Sequence, residues 1–379
     1  MNIFDFLTIN TEIILLVVFC ASLLIQLIYY TGIYSRFVFY KKPALNVGQE
    51  PVSVVICARN EADNLDINLP VILSQDYPIF EVIVVNDCSN DHTDEVLRKY
   101  LKIFSHLRTT SITEDKKFTH GKKLALTIGI KAAKYELLLL TDADCKPLSN
   151  QWILTMQRNL PADKSIVLGY GGYYRKKGVL NNYIRYDTLV IAIQYFSYAL
   201  SGNPYMGVGR NLAYRKSLFF ANKGFASHYS LLSGDDDLFI SETANKTNTA
   251  VEFSHDSHTR SDSESTFRDW AKQKRRHLTT SPRYRMKHKL MLGGEVFSRL
   301  LYYTSFILLS LLFPFSVFVT AAFGLRLILQ TIWLKKAMKL LNEKNLLLSS
   351  LFYDFFSLFI IFILYISVRL RFKRRKQWK

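Results

Sequence analysis

The chain has 379 residues, enough for one large or two ordinary domains, and carries 49 Lys and Arg against 31 Asp and Glu, a formal net charge of +18. That surplus selects anionic partners: nucleic acid, anionic lipid or a phosphorylated ligand. The four cysteines, Cys20, Cys57, Cys88 and Cys145, form no C-x-x-C pair, which argues against a zinc site and fits reduced thiols in a cytosolic setting.

The first element in chain order is an uncharged run, Ile13–Tyr30, of 18 residues, close to the length of a bilayer span. A secretory signal would need a basic segment before it, but only Asp5 and Glu12 are charged there. Arg36, Lys41 and Lys42 follow the run, so the N-terminus is expected outside and the chain beyond it in the cytoplasm.

Three short apolar runs come next: "VSVVIC" (52–57), "EVIVVN" (81–86) and "ELLLLT" (136–141). Continuous apolar strands suit a parallel sheet covered on both faces. Helical patterns separate them at about 61–74, 91–104 and 121–134. The second places Val96, Leu97, Tyr100, Leu101 and Phe104 at helical spacing, with Asp91, Thr93 and Asp94 positioned to cap it. Strand and helix in alternation predict an α/β fold with right-handed crossovers. Ligands of such sheets bind beyond the carboxyl ends of the strands, where Asp87, Asp142 and Asp144 fall.

Residues 165–290 are less regular and more aromatic. From about 297 the chain is apolar again, and 300–325 and 346–368 read as spans, with a third helix allowed around 316–334. The tail "RLRFKRRKQWK" favours the cytoplasm, which needs an even number of helices after the soluble middle; three would put it outside. Those two signals conflict.

Several stock motifs fail. "GVGRNL" (207–212) lacks the third glycine of a dinucleotide fingerprint, and "HGKKLA" (120–125) lacks the glycine and hydroxyl residue of a P-loop. A calcium loop beginning at Asp142 would need Gly and Glu where Pro147 and Ile153 stand. His255 and His258 have no partner ligands at helical spacing and read as solvated loop residues. What remains is D-x-D, Asp142 and Asp144, closing a greasy strand. If the segment stays extended, both carboxylates face one side. Paired hard oxygens suit Mg²⁺ or Mn²⁺, which also bind substrate phosphates. An acidic turn is the competing reading of the pair alone.

"VSVVICARNEADNL" (52–65), "VVNDCSNDHT" (84–93), "GKKLALTIGIKAA" (121–133) and "LLLLTDADC" (137–145) occur in the order and spacing of the family 2 glycosyltransferases, which the chain resembles over about residues 50–280. The resemblance implies a GT-A fold, a nucleotide-diphospho-sugar donor and inverting transfer. By motif it assigns Ala58, Arg59, Glu61 and Asp87 to the nucleoside, and Lys122 to the donor site. Asp142 falls near the ribose and donor sugar, and Asp144 on the metal of the diphosphate. "GVGRNLAYRKS" (207–217) looks like the loop for donor sugar and acceptor, with Asn211 its characteristic residue. "SGDDDLFI" (233–240) holds the general base: counting back from Leu238 gives Asp235, with Asp236 the neighbouring candidate. A carboxylate there can take the proton of a sugar hydroxyl, a poor nucleophile, as the new bond forms. Three adjacent acids also oppose each other's ionisation, which can raise one pKa. "QKRRH" (273–277) is similar to the Q-x-x-R-W of cellulose and hyaluronan synthases: Gln273 and Arg276 match, the arginine being the diphosphate ligand, while His277 replaces the tryptophan.

The expected organisation is therefore an N-terminal anchor (1–48), a cytosolic GT-A domain (49–290) and a membrane region of two or three helices (291–379). The expected activity is sugar transfer to a lipid or lipid-linked glycan acceptor at the cell membrane, among membrane lipids. A processive synthase exporting its product is the alternative. No aromatic–basic platform of the RNA-binding type is apparent, so nucleic acid is not an expected partner.

Overall fold

The computed structural model describes residues 3–42, 48–113, 121–161, 163–231 and 233–376, with side chains from 11 to 370 within them. The basic side chains at the end of the tail lie outside the described residues. The chain divides into two compact units. One is Lys41–Tyr284 with Leu340–Asn342; the other is the chain up to Tyr40, Arg285–Lys339 and the chain from Glu343 on.

The helical unit contains α1 (Ile3–Ile28), a π-helical turn (Tyr29–Tyr34) and the short α2 (Ser35–Val38). The mixed α/β unit follows with β1 (Val52–Ala58), α3 (Ala62–Leu73), β2 (Phe80–Asp87), α4 (Thr93–Leu101), β3 (Leu107–Ile112), α5 (Lys122–Ala132) and β4 (Leu137–Asp142). Then come β5 (Lys146–Pro147), α6 (Trp152–Gln157), β6 (Ile166–Leu168), β7 (Gly171–Tyr173), α7 (Val179–Leu200), β8 (Leu212–Arg215) and α8 (Lys216–Ala221). The unit closes with α9 (Asp237–Thr243), β9 (Thr249–Val251), β10 (Thr259–Ser261) and α10 (Phe267–Leu278), and α11 (Met286–Leu312), α12 (Val317–Leu340) and α13 (Leu347–Lys376) return to the helical unit.

The seven-stranded sheet runs β3-β2-β1-β4-β8-β6-β9, and β5, β10 and β7 form a second, three-stranded sheet. The expected parallel core is there: β1 pairs parallel with both β2 and β4, and β2 with β3. Beyond β4 the large sheet becomes mixed, because β8 runs antiparallel to β4 and β6. Val54, Ile56, Val84, Leu139 and Trp152 are buried in one core cluster with residues of α3, α4 and α6. Each such aliphatic side chain contributes about 1.5–3 kcal/mol by leaving water. Chain order along the sheet reverses at β1: β2 and β3 lie to one side, β4 to the other. The carboxyl ends of β1 and β4 therefore frame a topological switch point.

Among the described residues, the helical unit holds four helices long and apolar enough to cross a membrane: Thr11–Val38, Met286–Leu312, Val317–Leu340 and Leu347–Leu370. The single span expected at 300–325 is two helices, since Pro314 and its neighbours interrupt the helical hydrogen bonds between Leu312 and Val317. Three helices thus follow the α/β unit. Their interior carries an ionic network. Asp354 of α13 accepts from Arg299 (2.7 Å), Tyr303 (2.6 Å) and Arg326 (3.0 Å). Arg326 also donates to Gln26 of α1 and Gln330, so all four helices share one polar cluster. Charges buried among apolar helices persist when paired and hydrogen-bonded like this.

Candidate active site

The loops after β1 and β2 are stitched together. The Asn60 amide donates to Ser89 Oγ (2.9 Å), the Glu61 amide to Thr93 Oγ1 (3.0 Å) and the Ala62 amide to Asp91 Oδ2 (3.1 Å). Asp91 also accepts from the Thr93 amide (3.1 Å), but as a turn ahead of the helix: the N-cap of α4 is His92, which makes no side-chain capping bond, so the cap expected from Asp91, Thr93 or Asp94 is not formed. Ala58 is buried, Arg59 exposed and Glu61 half-buried. Burial, then the nearby Asp144 and Asp142, push the Glu61 carboxyl above its usual range. Asp87 ends β2 and is 4% exposed, and among the described residues its Oδ1 has no hydrogen-bond partner. A buried carboxylate oxygen left without a donor is costly and calls for one from a ligand.

Asp142 ends β4, in register with Cys57 of β1. The next two residues turn rather than extend, so the alternation argument for D-x-D fails at Asp144. The Cys145 amide donates to the Asp142 carbonyl (3.0 Å) and closes the turn. The turn nevertheless brings ligand atoms of Asp142, Asp144 and Cys145 within 4.8 Å of one another. The two carboxylates fit a hard divalent cation. Cys145 is a protein-facing support: it is buried, its thiol is pushed well above its usual pKa by burial and then Asp144, and Sγ donates to Asp144 Oδ1 (3.3 Å).

Lys122, at the start of α5, bridges the acids. Its Nζ lies 2.6 Å from Asp142 Oδ1 and 3.2 Å from Asp235 Oδ2. Burial lowers its pKa, but Asp142, Asp235 and Asp236 outweigh that and raise it well above the usual value. The cleft around it is lined by Cys57, Thr141, Asp142, Gly209, Asp235 and Asp236 among others. Burial pushes the Asp235 carboxyl up, yet Lys122 prevails and holds it below the ordinary range. Asp236 goes the other way, to about 7, through burial and then the charges of Asp235 and Asp237. Its two oxygens are tied to backbone, Oδ2 to the Gly209 amide and Oδ1 to the Asp237 amide, each at 2.8 Å. The acids therefore open α9, as a capping reading of the triplet requires, and also line the cleft. Asp237 accepts from Thr280 (2.5 Å) and Tyr284 (2.7 Å), which follow α10.

The 207–217 loop departs from expectation at its most characteristic residue. Asn211 has no exposed surface and both polar atoms of its amide are engaged within the fold: Oδ1 accepts from Trp152 Nε1 (3.0 Å), and Nδ2 donates to the carbonyls of Tyr170 (3.0 Å) and Ser257 (2.6 Å). It has no atom left for a sugar and instead locks the loop. Gly169 allows this, since a Cβ there would stand 2.5 Å from Asn211 Cγ. The side chain beside it, Arg210, faces the acids instead. Its field reaches Asp144 and Asp142.

α10 carries Gln273, Arg276 and His277, and is fixed to α7 by Lys274–Asp187 (2.5 Å) and by Trp270 on the Tyr183 ring (5.3 Å between centroids). His277 is exposed on α10. Neighbouring protein atoms that displace water around the ring, then Arg276, Lys274 and Arg210, hold its imidazole below the usual pKa, with Asp235 opposing. Gln273 and Arg276 make no side-chain hydrogen bond among the described residues, so they share the helix with His277 without being joined to the acids. His258 is not solvated: it is fully buried, with Nε2 2.9 Å from the Phe253 carbonyl and its ring edge-on to Tyr170. Sequence reading missed Arg210, Trp152, Thr280 and Tyr284. Only Arg210 carried a local signal, a basic residue inside a glycine-flanked motif.

The model for "Glycosyl transferase family 2" matches residues 53–220, and that for "Glycosyl transferase family group 2" matches 150–369, more than half of the chain. The chain belongs to the family 2 glycosyltransferases. Among curated proteins, this glycosyltransferase is 33% identical over 110 residues to a poly-beta-1,6-N-acetyl-D-glucosamine synthase of Staphylococcus aureus, covering 29% of this chain and 26% of the relative. To the synthase of that name from Staphylococcus epidermidis it is 34% identical over 95 residues, 25% of this chain and 22% of the relative. The matches span about a quarter of those relatives. A solved mannosyltransferase from Pyrobaculum calidifontis, in complex with GDP-Man and Mn²⁺, aligns with a TM-score of 0.57 at 19% identity, covering 87% of this chain and 98% of that one, and so shares the GT-A fold.

Proposed function

We propose that this glycosyltransferase moves a sugar, with inversion, from a nucleotide-diphospho-sugar to a lipid or lipid-linked glycan acceptor. The observation that carries the proposal is the Lys122 bridge, which sets Asp235 one ammonium away from the D-x-D acid Asp142. Asp235 then takes the proton of the acceptor hydroxyl as its oxygen bonds to the anomeric carbon. The bond from that carbon to the donor phosphate breaks, and its electron pair leaves with the nucleoside diphosphate. Because Lys122 keeps Asp235 ionised, the base is ready in the resting enzyme; Asp236, held by two backbone amides, supports the turn beneath it. Asp87 receives the nucleoside through its partnerless oxygen, alongside the 58–61 loop. Asp144 and Asp142 would hold Mg²⁺ or Mn²⁺, which supplies charge neutralisation on the diphosphate; the Mn²⁺ in the mannosyltransferase of the same fold supports this. The test is turnover of purified protein against UDP- and GDP-sugars, with membrane lipid extract as acceptor and a chelator control. Hydrolysis of glycans without any donor would sink the proposal.

A second reading, polymer synthesis, is favoured by the similarity to the staphylococcal synthases. His277 weighs against it, because imidazole offers a growing glycan a smaller and more polar face than tryptophan. Product sizing after long incubation with excess donor separates the two: one or a few sugars added supports simple transfer, a high-polymer ladder the synthase.

The four apolar helices support a multi-pass membrane protein with its α/β unit in the cytoplasm. Leu340–Asn342 belong to the α/β unit, where Arg260 donates to the Leu341 and Asn342 carbonyls (3.0 and 3.2 Å). The chain thus leaves that unit at Tyr284 and is back in it at Leu340, which suits one membrane hairpin of α11 and α12. α13 then crosses outward, against the pull of the basic tail. A phosphatase fusion after Leu370 should be active outside the cytoplasm, while a cysteine at Ser263 should label only in permeabilised cells.

A further inference from the structure

Arg210 is half-buried, and its partners are fewer than its guanidinium can take. Its backbone is fixed: the Arg210 carbonyl accepts from Thr141 Oγ1 and Thr259 Oγ1, each at 3.0 Å. Its side chain is fixed too, stacked on the Tyr173 ring with Cζ 4.2 Å from the centroid. Gly171 leaves room for that path, since a Cβ there would meet Arg210 Cβ at 2.8 Å. Yet among the described residues its five N–H donors find two acceptors, the Gly172 carbonyl and Ser261 Oγ, both at a long 3.4 Å. Among the described residues it forms no ion pair within 4.0 Å. Arg215, five residues on, shows the contrast: it is forked onto both oxygens of Glu50 (3.1 and 3.2 Å) and donates to the Lys164 carbonyl (3.0 Å).

A cation held rigidly, half-buried and short of acceptors gains from an anion that completes its hydrogen bonds. The position says which anion. Thr141, whose hydroxyl holds the Arg210 carbonyl, directly precedes Asp142, and the neighbouring Gly209 amide binds Asp236, so Arg210 springs from a backbone pinned between the D-x-D turn and the acids that open α9, within the fields of Asp142 and Asp144. We infer that Arg210 is a donor-binding residue whose planar fork takes phosphate oxygens of the nucleoside diphosphate, beside the carboxylates that hold the metal. A fork of this kind pairs two oxygens at once, which a lysine ammonium does not. As the glycosidic bond breaks, negative charge builds on that phosphate, and a cation already in place stabilises it without rearranging. The inference rests on the donor-site reading above.

The experiment is calorimetric titration of the purified full-length protein with Mn²⁺ present, using UDP and GDP, the matching monophosphates and the nucleosides. In the wild type, the diphosphate should bind more tightly than the monophosphate. Arg210→Met should cut that preference at least about tenfold, the scale of one charged hydrogen-bonded contact, and leave nucleoside affinity unchanged. Arg210→Lys should fall between them; should the methionine variant not fold, the lysine variant carries the same criterion with a smaller loss. An unchanged preference in folded variants overturns the Arg210 inference alone, as does an equal loss for nucleoside, monophosphate and diphosphate, which would mean a merely structural role. A wild type without preference for diphosphate overturns the donor-site reading itself.

Discussion

Removing the Lys122 ammonium tests the link between the donor acids and the base. At 3.2 Å from Asp235 Oδ2, a full charge pair is worth about 5 kcal/mol at an effective dielectric of about 20 and about 1.3 kcal/mol in water. Lys122 is 37% exposed, so solvent screens the pair and the smaller half of that range applies, about 1.3–3.2 kcal/mol. One pH unit corresponds to about 1.4 kcal/mol, so Lys122→Met should raise the Asp235 pKa by about one to two units. The sign follows from the role: a base must be deprotonated, so a higher pKa moves the acid limb of activity to higher pH. The assay is kcat/KM against pH, which reports the free enzyme. Wild type should hold its activity to lower pH than Lys122→Met, and Lys122→Arg should stay close to wild type. A pH-independent loss from weaker donor binding lowers the whole curve without moving its limb. An acid limb at the same pH in wild type and Lys122→Met would refute the claim that Lys122 keeps the base ionised.

Asp144→Asn should fold normally but lose metal-dependent nucleotide binding, seen as equal calorimetric affinity for UDP or GDP with and without Mn²⁺. Asp235→Asn should retain donor binding and lose at least about a hundredfold in turnover, the scale of a lost general base. Asp236→Asn should be milder in turnover. It should cost about 1–3 kcal/mol of stability by thermal unfolding, because an amide cannot accept from both the Gly209 and Asp237 amides. Asp354→Ala removes the acceptor shared by Arg299 and Arg326 and should cost about 3–5 kcal/mol in detergent; replacing Arg299 and Arg326 with methionine as well should recover much of the loss. Reversal of the Asp235 and Asp236 effects would reassign the base.

The α/β core was legible because its signals are local. Val52–Ala58, Phe80–Asp87 and Leu137–Asp142 are continuous apolar runs, and polar residues end each of them where the sheet ends. The chain beyond 165 was not legible in this way. α7 is a 22-residue helix packed on several sides, with Tyr183, Tyr186, Leu189, Phe196 and Tyr198 all buried, so it shows no single apolar stripe. The membrane region was legible in part: hydropathy allows a helix around 316–334, where α12 runs, but it averages over Pro314 and so draws one span across 300–325.

Within the site, sequence named the acids but not their arrangement. Asp142 and Asp144 stand out as two charges after four leucines, yet what brings them together is a turn rather than an extended strand. Lys122 stands 20 residues before Asp142 and 113 before Asp235, and its ammonium joins them only because α5 packs against β1. The arginines show most clearly where sequence stops. Arg210 precedes the short strand β8 and Arg215 ends it, and no rule of spacing or propensity tells them apart. Their acceptors do: Glu50 and backbone carbonyls satisfy Arg215, whereas Arg210 sits on Tyr173 with two long contacts and faces the D-x-D turn. The same inventory removes Asn211 from the ligand side of the cleft, since Trp152, Tyr170 and Ser257 occupy its amide. Which residue of a motif meets the ligand is decided by what its neighbours leave unsatisfied, and those neighbours come from distant parts of the chain.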